Sequence, residues 1–352
     1  MKKRLGLLLS LAIAASVAIA GYLYLANTRI DRFAHAPFGT ADTKLVDIPN
    51  GTGPKGVASL LAKAGVVSSA DSTYAYLKRT KLGPKLKAGE YAFAGPLTPE
   101  QVITRIVSGQ VRVYRFTVPE GLRVEEILPI VAGSELKLDL SKLQGLSSDA
   151  RWVRALGVPA DGLEGFLYPD TYTFTRGASE AAVLAKMVSR ALEEHQKAAE
   201  NKKPGITLSL LEAMTLASIV EKETGAPEER ARIACVFHNR LRLHMKLQTD
   251  PTVIYAMMLA RGRYTKNITK KDLETDHPYN TYTRKGLPPG PIASAGAAAL
   301  QAVYHPLDCQ DLFFVSKNDG THVFCPDLRC HEDNVEKWQR KFFRNKRRKG
   351  KG

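Results

Sequence analysis

The sequence predicts an α+β protein with three parts: a single N-terminal transmembrane helix, a small α+β subdomain and a larger mixed α/β domain. Three observations support this fold class. An uncharged apolar run covers residues 5–26, directly after the three basic residues 2–4. Short alternating segments and amphipathic helical segments follow one another over residues 45–110. Longer helical patterns, separated by long loops, occupy residues 111–340.

The apolar run at residues 5–26 has the length that a bilayer core requires, which is about 20 residues. A cleavable signal usually has a shorter apolar region, although the alanine-rich residues 12–20 resemble a cleavage region. The basic start, residues 1–4, is expected to stay in the cytoplasm. We therefore expect an uncleaved anchor at 5–26, a linker at 27–44, and the rest of the chain outside the inner (plasma) membrane.

The net charge of +16 is concentrated at the C-terminus, where residues 337–351 hold nine basic side chains and no acid. We interpret residues 341–352 as a disordered, solvated tail. Such a run also binds anionic lipids or anionic polymers. Nucleic acid is not expected as a partner, because an anchor precedes the domains and no nucleic-acid-binding motif accompanies the tail.

Residues 45–110 read as a small unit of short strands and helices. A strand ends near Ile48, two amphipathic helices follow, residues 87–93 alternate as a strand does, and Pro99 opens a third helix. The same order of strand, turn and helix partly recurs at 114–135, which suggests a second repeat. Units of this kind resemble LysM modules, which bind N-acetylated glycans, and a simple spacer domain is the alternative.

The four cysteines allow more than one interpretation. Outside the cytoplasm, the default for the close pair Cys325 and Cys330 is a disulfide. Cys330 and His331 with Cys309 form an alternative zinc set, but the ligand spacing is irregular and we expect no metal. Cys235 lies on an apolar helical face and is expected to be a buried free thiol.

A helix over residues 210–224 is defined by signals at both ends. Ser209 and Glu212 form a capping-box pair, and Gly225 followed by Pro227 is a stop signal. The helix carries a carboxylate, Glu221, in its last turn.

Helical geometry places Glu221 in line with Met214, Ala217 and Ser218, on the stripe that packs. Glu223 is turned away from it by about 200°. The two carboxylates therefore cannot serve one site as a pair, and Glu221 is the candidate acid. Apolar surroundings disfavour the ionised form of a carboxyl, as a general acid requires. The alternative is a structural Glu221 that is bonded to a neighbouring arginine or a backbone amide.

Four motifs follow one another in the chain: LEGFLYPDTY at 163–172, ASIVEKET at 217–224, QTDPTV at 248–253 and YNTYTRKGLPPGPI at 279–292. In this order they resemble the motifs of the YceG-like endolytic murein transglycosylases. The resemblance covers about 45–340 and follows the family's order of anchor, LysM-like region and catalytic domain. Any single motif is a weak signal, whereas four co-linear motifs behind one anchor are specific.

The resemblance implies that Glu221 is the family's single catalytic glutamate. It also implies cleavage of the β-1,4 bond from N-acetylmuramic acid to N-acetylglucosamine within peptidoglycan strands, without water, which leaves a 1,6-anhydro end. One carboxyl group suffices, because it first protonates the leaving oxygen and then takes the proton of the attacking C6 hydroxyl. No cofactor and no metal are implied. Motif residues of types that hydrogen-bond to or stack on acetamido sugars are the candidate substrate-binding residues: Glu164, Tyr168, Gln248, Asp250, Tyr279, Asn280 and Tyr282.

Two other functions remain open from the sequence. A membrane-anchored scaffold would bind the cell wall without turnover. A hydrolysing glycosidase would need a second carboxylate facing Glu221, for which Asp250 and Glu164 are the available motif acids. The expected partners are peptidoglycan strands and the membrane, with penicillin-binding synthases and the elongation or division machinery as further candidates.

Overall fold

The structure is a computed structural model that describes residues 2–262, 267–341 and 344. The chain divides into two compact units. The N-terminal unit comprises residues 1–114 with 174–177, and the C-terminal unit comprises residues 115–173 with 178–352. Most of the expected basic tail, 341–352, lies outside the described residues.

The N-terminal unit is built around one antiparallel strand pair. Strand β1 pairs with β2 from Lys44 opposite Phe93 to Ile48 opposite Gly89, and helix side chains bury the pair. The elements are α1 (Lys2–His35), β1 (Lys44–Ile48), α2 (Pro54–Lys63), α3 (Ala70–Thr80), a 3-10 turn (Gly83–Lys85), β2 (Gly89–Phe93) and α4 (Pro99–Ser108). The predicted strands and helices of 45–110 are therefore present.

The expected linker at 27–44 is wrong in its first part, because α1 continues as a helix to His35. Ala34 is buried in the core of the N-terminal unit, and Phe33 packs against that core. Arg79 of α3 donates a hydrogen bond to the carbonyl of Asn27 at 3.0 Å and pairs with Asp31. The sequence did not show this, because the apolar residues after 26 are too widely spaced to extend the membrane pattern. Residues 10–35 of α1 are long and apolar enough to cross a membrane, a test that a signal sequence also passes.

The C-terminal unit is mainly helical. Strands β3 and β4 form a two-stranded sheet, and the boundary between the units falls within both strands. The elements are β3 (Val113–Thr117), α5 (Val124–Ala132), α6 (Leu140–Ser147), α7 (Ala150–Ala155), β4 (Thr171–Thr175), α8 (Glu180–Ala199), α9 (Leu210–Glu223), a 3-10 turn (Pro227–Glu229), α10 (Arg230–Arg242), α11 (Asp250–Arg261), α12 (Lys270–Glu274), α13 (Ala297–Tyr304), β5 (Phe313–Ser316), β6 (His322–Cys325), α14 (Leu328–Val335) and a π turn (Glu336–Lys341).

Helix α9 is the centre of this unit and positions the candidate acids. Its capping box is formed as predicted, with Ser209 and Glu212 bonded reciprocally. Every residue from 213 to 220 is buried, and α9 packs against α10, α11 and α13. The middle of the helix therefore has no exposed face, and Glu221 and Glu223 become accessible only in its last turn.

Both disulfides of the chain lie in the C-terminal unit. Cys325 and Cys330 are bonded, as expected. The expectation of a free thiol at Cys235 is wrong, because it is bonded to Cys309, 74 residues away. A buried position on an apolar helical face suits a half-cystine as well as a thiol, so the local pattern could not distinguish them. With Cys309 and Cys330 both oxidised, the alternative zinc set is not available.

Candidate active site

Glu221 is held by two groups at the end of α9. Its Oε1 lies 3.4 Å from the Arg230 guanidinium, and its Oε2 accepts a hydrogen bond from the Gly296 N–H at 3.3 Å. Gly296 immediately precedes α13, so the carboxylate caps the N-terminus of that helix. Only 8% of the side chain is exposed. These contacts match the structural alternative for Glu221, an arginine and a backbone amide.

A second carboxylate, Glu120, lies beside Glu221. Burial and the charge of Glu221 raise the pKa of the Glu120 carboxyl, while Arg230 opposes the rise. A Cβ at Gly296 would collide with the Glu120 carboxylate, so a larger residue here would require the Glu120 side chain to move. The sequence did not indicate that Glu120 lies beside Glu221, because no local pattern shows that the turn at 119–121 meets the start of α13.

Glu223 points into a different environment, as the helical geometry predicted. It is half-buried, and the Thr249 hydroxyl donates a hydrogen bond to it. Burial raises the pKa of the Glu223 carboxyl to about 7, and the charge of Asp250 adds to the rise, while the Thr249 bond and Arg240 oppose it. A carboxyl with this pKa is partly protonated near neutral pH, which is the state a general acid needs.

An open cleft of about 600 Å³ adjoins Glu223 and contains three of the predicted substrate-binding residues. Gln248 is exposed there in a left-handed backbone conformation, with φ of +48°. Asp250 is exposed at the start of α11 and accepts a hydrogen bond from the Tyr282 hydroxyl at 2.7 Å. Burial raises the pKa of Tyr282, and the bond to Asp250 raises it further. Glu223 lines this cleft, whereas Glu221 is not among its described lining residues.

Glu164 and Tyr279 lie elsewhere in the C-terminal unit. The Glu164 carboxylate accepts hydrogen bonds from the Val124 N–H at 3.2 Å and from the Tyr255 hydroxyl at 3.3 Å. Burial raises the pKa of Glu164 to about 7. The Tyr279 ring lies 4.9 Å from the Tyr255 ring. Tyr255 also lines a second cavity, of about 440 Å³, together with Arg123.

Two predicted substrate-binding residues, Asn280 and Tyr168, are buried. Asn280 is fully buried, and its amide nitrogen donates to three backbone carbonyls within residues 272–275 while its oxygen accepts from the Tyr282 N–H. Tyr168 is only 6% exposed, and the Arg190 guanidinium lies 5.5 Å from its ring. Both side chains are buried in this structure, so neither is an exposed residue of the cleft, and their role in sugar binding stays a prediction. A motif pattern does not distinguish a loop-stabilising side chain from an exposed one.

Arg240 is a cleft residue that sequence reasoning missed. It is 6% exposed, and it donates hydrogen bonds to the carbonyls of Leu312 and Leu247, each at 2.6 Å. Its guanidinium lies 5.1 Å from the Phe313 ring. The sequence did contain a sign of this residue, because Arg240 is a charged residue among the apolar positions of α10. A charged residue at such a position indicates a buried arginine with a fixed role.

The chain belongs to the YceG-like family, whose model matches residues 46–337. It is 31% identical over 308 residues to the endolytic murein transglycosylase of Bacillus subtilis (strain 168), with 83% of this chain and 84% of that protein covered. It is 27% identical over 323 residues to the endolytic murein transglycosylase of Streptococcus pneumoniae serotype 2, with 82% of this chain and 57% of that protein covered. A crystal structure of a yceG-like protein from Listeria monocytogenes superposes with a TM-score of 0.55 at 29% identity, and covers 84% of this chain and 99% of that one.

Proposed function

We propose that this chain is a membrane-anchored endolytic murein transglycosylase. It cleaves the β-1,4 bond between N-acetylmuramic acid and N-acetylglucosamine within peptidoglycan strands, without water, and leaves 1,6-anhydro ends. Membership of the YceG-like family and the names of its relatives support a lytic transglycosylase that acts on peptidoglycan.

We propose Glu223 as the catalytic acid in place of Glu221. The observation that carries this choice is the position of Glu223 in the open cleft beside Gln248, Asp250 and Tyr282, with a pKa raised to about 7. Glu221 instead caps α13 and pairs with Arg230, so its burial is explained by a structural role.

The cleft residues support a mechanism with one acid. Protonated Glu223 donates its proton to the glycosidic oxygen as the bond to C1 breaks. The resulting carboxylate then takes the proton from the C6 hydroxyl of the muramyl residue as that oxygen attacks C1, so water is not consumed. Thr249, which donates a hydrogen bond to Glu223, orients the carboxylate, and the nearby charge of Arg240 stabilises its ionised form. The candidate substrate-binding residues of this cleft are Gln248, Asp250 and Tyr282.

The remaining parts of the proposal concern location and partners. The apolar part of α1, residues 5–26, is the anchor, and the rest of the chain lies outside the plasma membrane. The N-terminal unit, with its LysM-like order of elements, would bind the glycan near the anchor. Cleavage there would limit the length of nascent strands, and peptidoglycan synthases are the candidate partners.

Product analysis tests this function. Long uncrosslinked glycan strands are incubated with the full-length chain in detergent, and the masses of the products are measured by mass spectrometry. We expect internal cuts and ends that are lighter than hydrolysed ends by one water. New reducing ends would indicate a hydrolase instead, and binding without any product would indicate a scaffold.

A further inference from the structure

The cleft beside Glu223 is lined by two chemically different groups of side chains. The first group is polar and contains the proposed acid. The second group belongs to β5 and to the C-terminal helices, and consists of Phe313, Phe314, Leu328, His331, Val335 and Gln339. Sugar rings have apolar faces and polar rims, so a cleft with both kinds of lining suits a saccharide. The second group has no role in the function proposed above.

Helix α14 presents one side to this cleft. Leu328, His331, Val335 and Gln339 follow one another at intervals of three or four residues, which places them on one side of the helix and its π-turn continuation. None of the residues of α14 is buried, and Leu328 is 54% exposed. The described part of the chain therefore leaves this side of α14 open to the cleft.

His331 is the polar residue at the centre of this surface. Its ring stacks on Phe313 at 5.0 Å with an angle of 29° between the planes. Its Nδ1 is buried and has no hydrogen-bond partner among the described residues. Burial lowers the pKa of the imidazole and the charge of Arg240 lowers it further, while Glu332 opposes the fall, so the neutral form of the ring is favoured. A neutral imidazole carries one N–H, and the tautomer with this proton on Nε2 leaves the buried Nδ1 without a proton to donate.

Local contacts fix α14 before any ligand binds. The Cys325–Cys330 disulfide joins β6 to the first turn of the helix. The Asp327 side chain caps that turn by accepting from the Cys330 N–H at 2.9 Å, and Asn334 donates to the Cys330 carbonyl at 2.9 Å. A surface held in this way gains affinity, because little ordering is left to occur on binding.

We propose that Leu328, His331 and Phe313 form a binding surface for an N-acetylated sugar of the glycan strand. The apolar face of the sugar ring packs on this surface, and the His331 Nε2–H donates a hydrogen bond to the acetamido carbonyl. The inference rests on the proposed function, because it assigns a further subsite to the same cleft.

The test measures binding of two hexasaccharides by calorimetry. One is the hexamer of N-acetylglucosamine and the other is cellohexaose, which lacks acetamido groups. The protein is the full-length chain in detergent, with Glu223→Gln as the background so that the sugar is not consumed. His331→Phe keeps the stacking ring and removes the N–H. Leu328→Asp removes the apolar contact, and an acid in the first turn favours the helix, so folding is preserved.

We expect His331→Phe to weaken binding of the N-acetylglucosamine hexamer by roughly three- to tenfold, the effect of one neutral hydrogen bond, and to leave cellohexaose binding unchanged. Leu328→Asp should weaken binding of both sugars. The control is Asp333→Asn, an exposed change on the opposite side of α14, which should bind both as the background does.

Equal binding of the N-acetylglucosamine hexamer by His331→Phe and the control would overturn the inference. So would a loss for both sugars in His331→Phe, because that points to a structural role for the ring. Either result leaves the proposed function intact if the otherwise unmodified chain still forms anhydro ends. If that chain neither binds nor cleaves glycan, the proposed function fails and the inference fails with it.

Discussion

Replacement of Glu223 by glutamine should stabilise the fold at alkaline pH. The folded-state pKa of about 7 lies above the ordinary value of 4.5, so between these values the folded state holds a proton that the unfolded state has released. The free energy of unfolding therefore falls as pH rises from 4.5 to 7, and the loss is complete above 7. The difference corresponds to about 3 kcal/mol at 1.36 kcal/mol per pH unit.

Two effects make the stability gained by Glu223→Gln smaller than this difference in free energy. Solvent in the open cleft screens the ionised carboxylate, and the glutamine oxygen accepts a weaker hydrogen bond from Thr249 than the carboxylate does. We expect Glu223→Gln to gain about 1–2 kcal/mol relative to the unmodified chain between pH 5 and pH 8. Glu164 also has a pKa raised to about 7, so the variant keeps part of the pH dependence.

The assay is urea unfolding of both chains at pH 5 and pH 8, followed by circular dichroism. Glu221→Gln serves as the matched control, because it makes the same chemical change two residues away on the same helix. A gain for Glu223→Gln that is the same at both pH values would refute the reasoning, since it would show that the carboxyl does not titrate in this range.

Three further predictions concern the structural groups around the site. Glu221→Gln should retain glycan cleavage but lose about 1–2 kcal/mol of stability, because the buried Arg230 loses its ion-pair partner and keeps only the neighbouring Glu120 charge, and thermal melting with an activity assay measures both. Gly296→Ala should destabilise the fold by less than about 1 kcal/mol, because the exposed Glu120 side chain can move away from the added methyl group, and a larger fall in the free energy of unfolding would contradict this. Replacement of Cys235 and Cys309 by serine should cost about 4 kcal/mol, because that disulfide closes a loop of 74 residues; denaturant unfolding checks the value, and a loss below 1 kcal/mol would argue against it.

Local signals predicted the elements that carry the site. The capping box at Ser209 and the stop at Gly225 gave the bounds of α9 to within one residue, because both signals act within a single helical turn. The sequence of residues 139–158 has no clear periodic pattern, yet this segment contains two short helices, α6 and α7. Short helices depend on tertiary packing more than on their own sequence, which explains the difference.

The choice between Glu221 and Glu223 could not be made from the helix alone. Helical geometry predicted correctly that the side chains of the two acids point in different directions. It did not show which of them opens to solvent, because α9 is buried from 213 to 220. The cleft is completed by residues 248–250 and 313–339, which are distant in sequence, so its position depends on the tertiary fold.

The most direct test of the central claim compares cleavage by Glu223→Gln and Glu221→Gln under conditions where both are folded. Long glycan strands are the substrate, and the rate of formation of anhydro ends is measured by mass spectrometry. We expect Glu223→Gln to lose at least about 100-fold in rate, as loss of a general acid does, and Glu221→Gln to stay within about threefold of the unmodified chain. Loss of cleavage in Glu221→Gln, with near-normal cleavage in Glu223→Gln, would contradict the assignment of Glu223 as the acid.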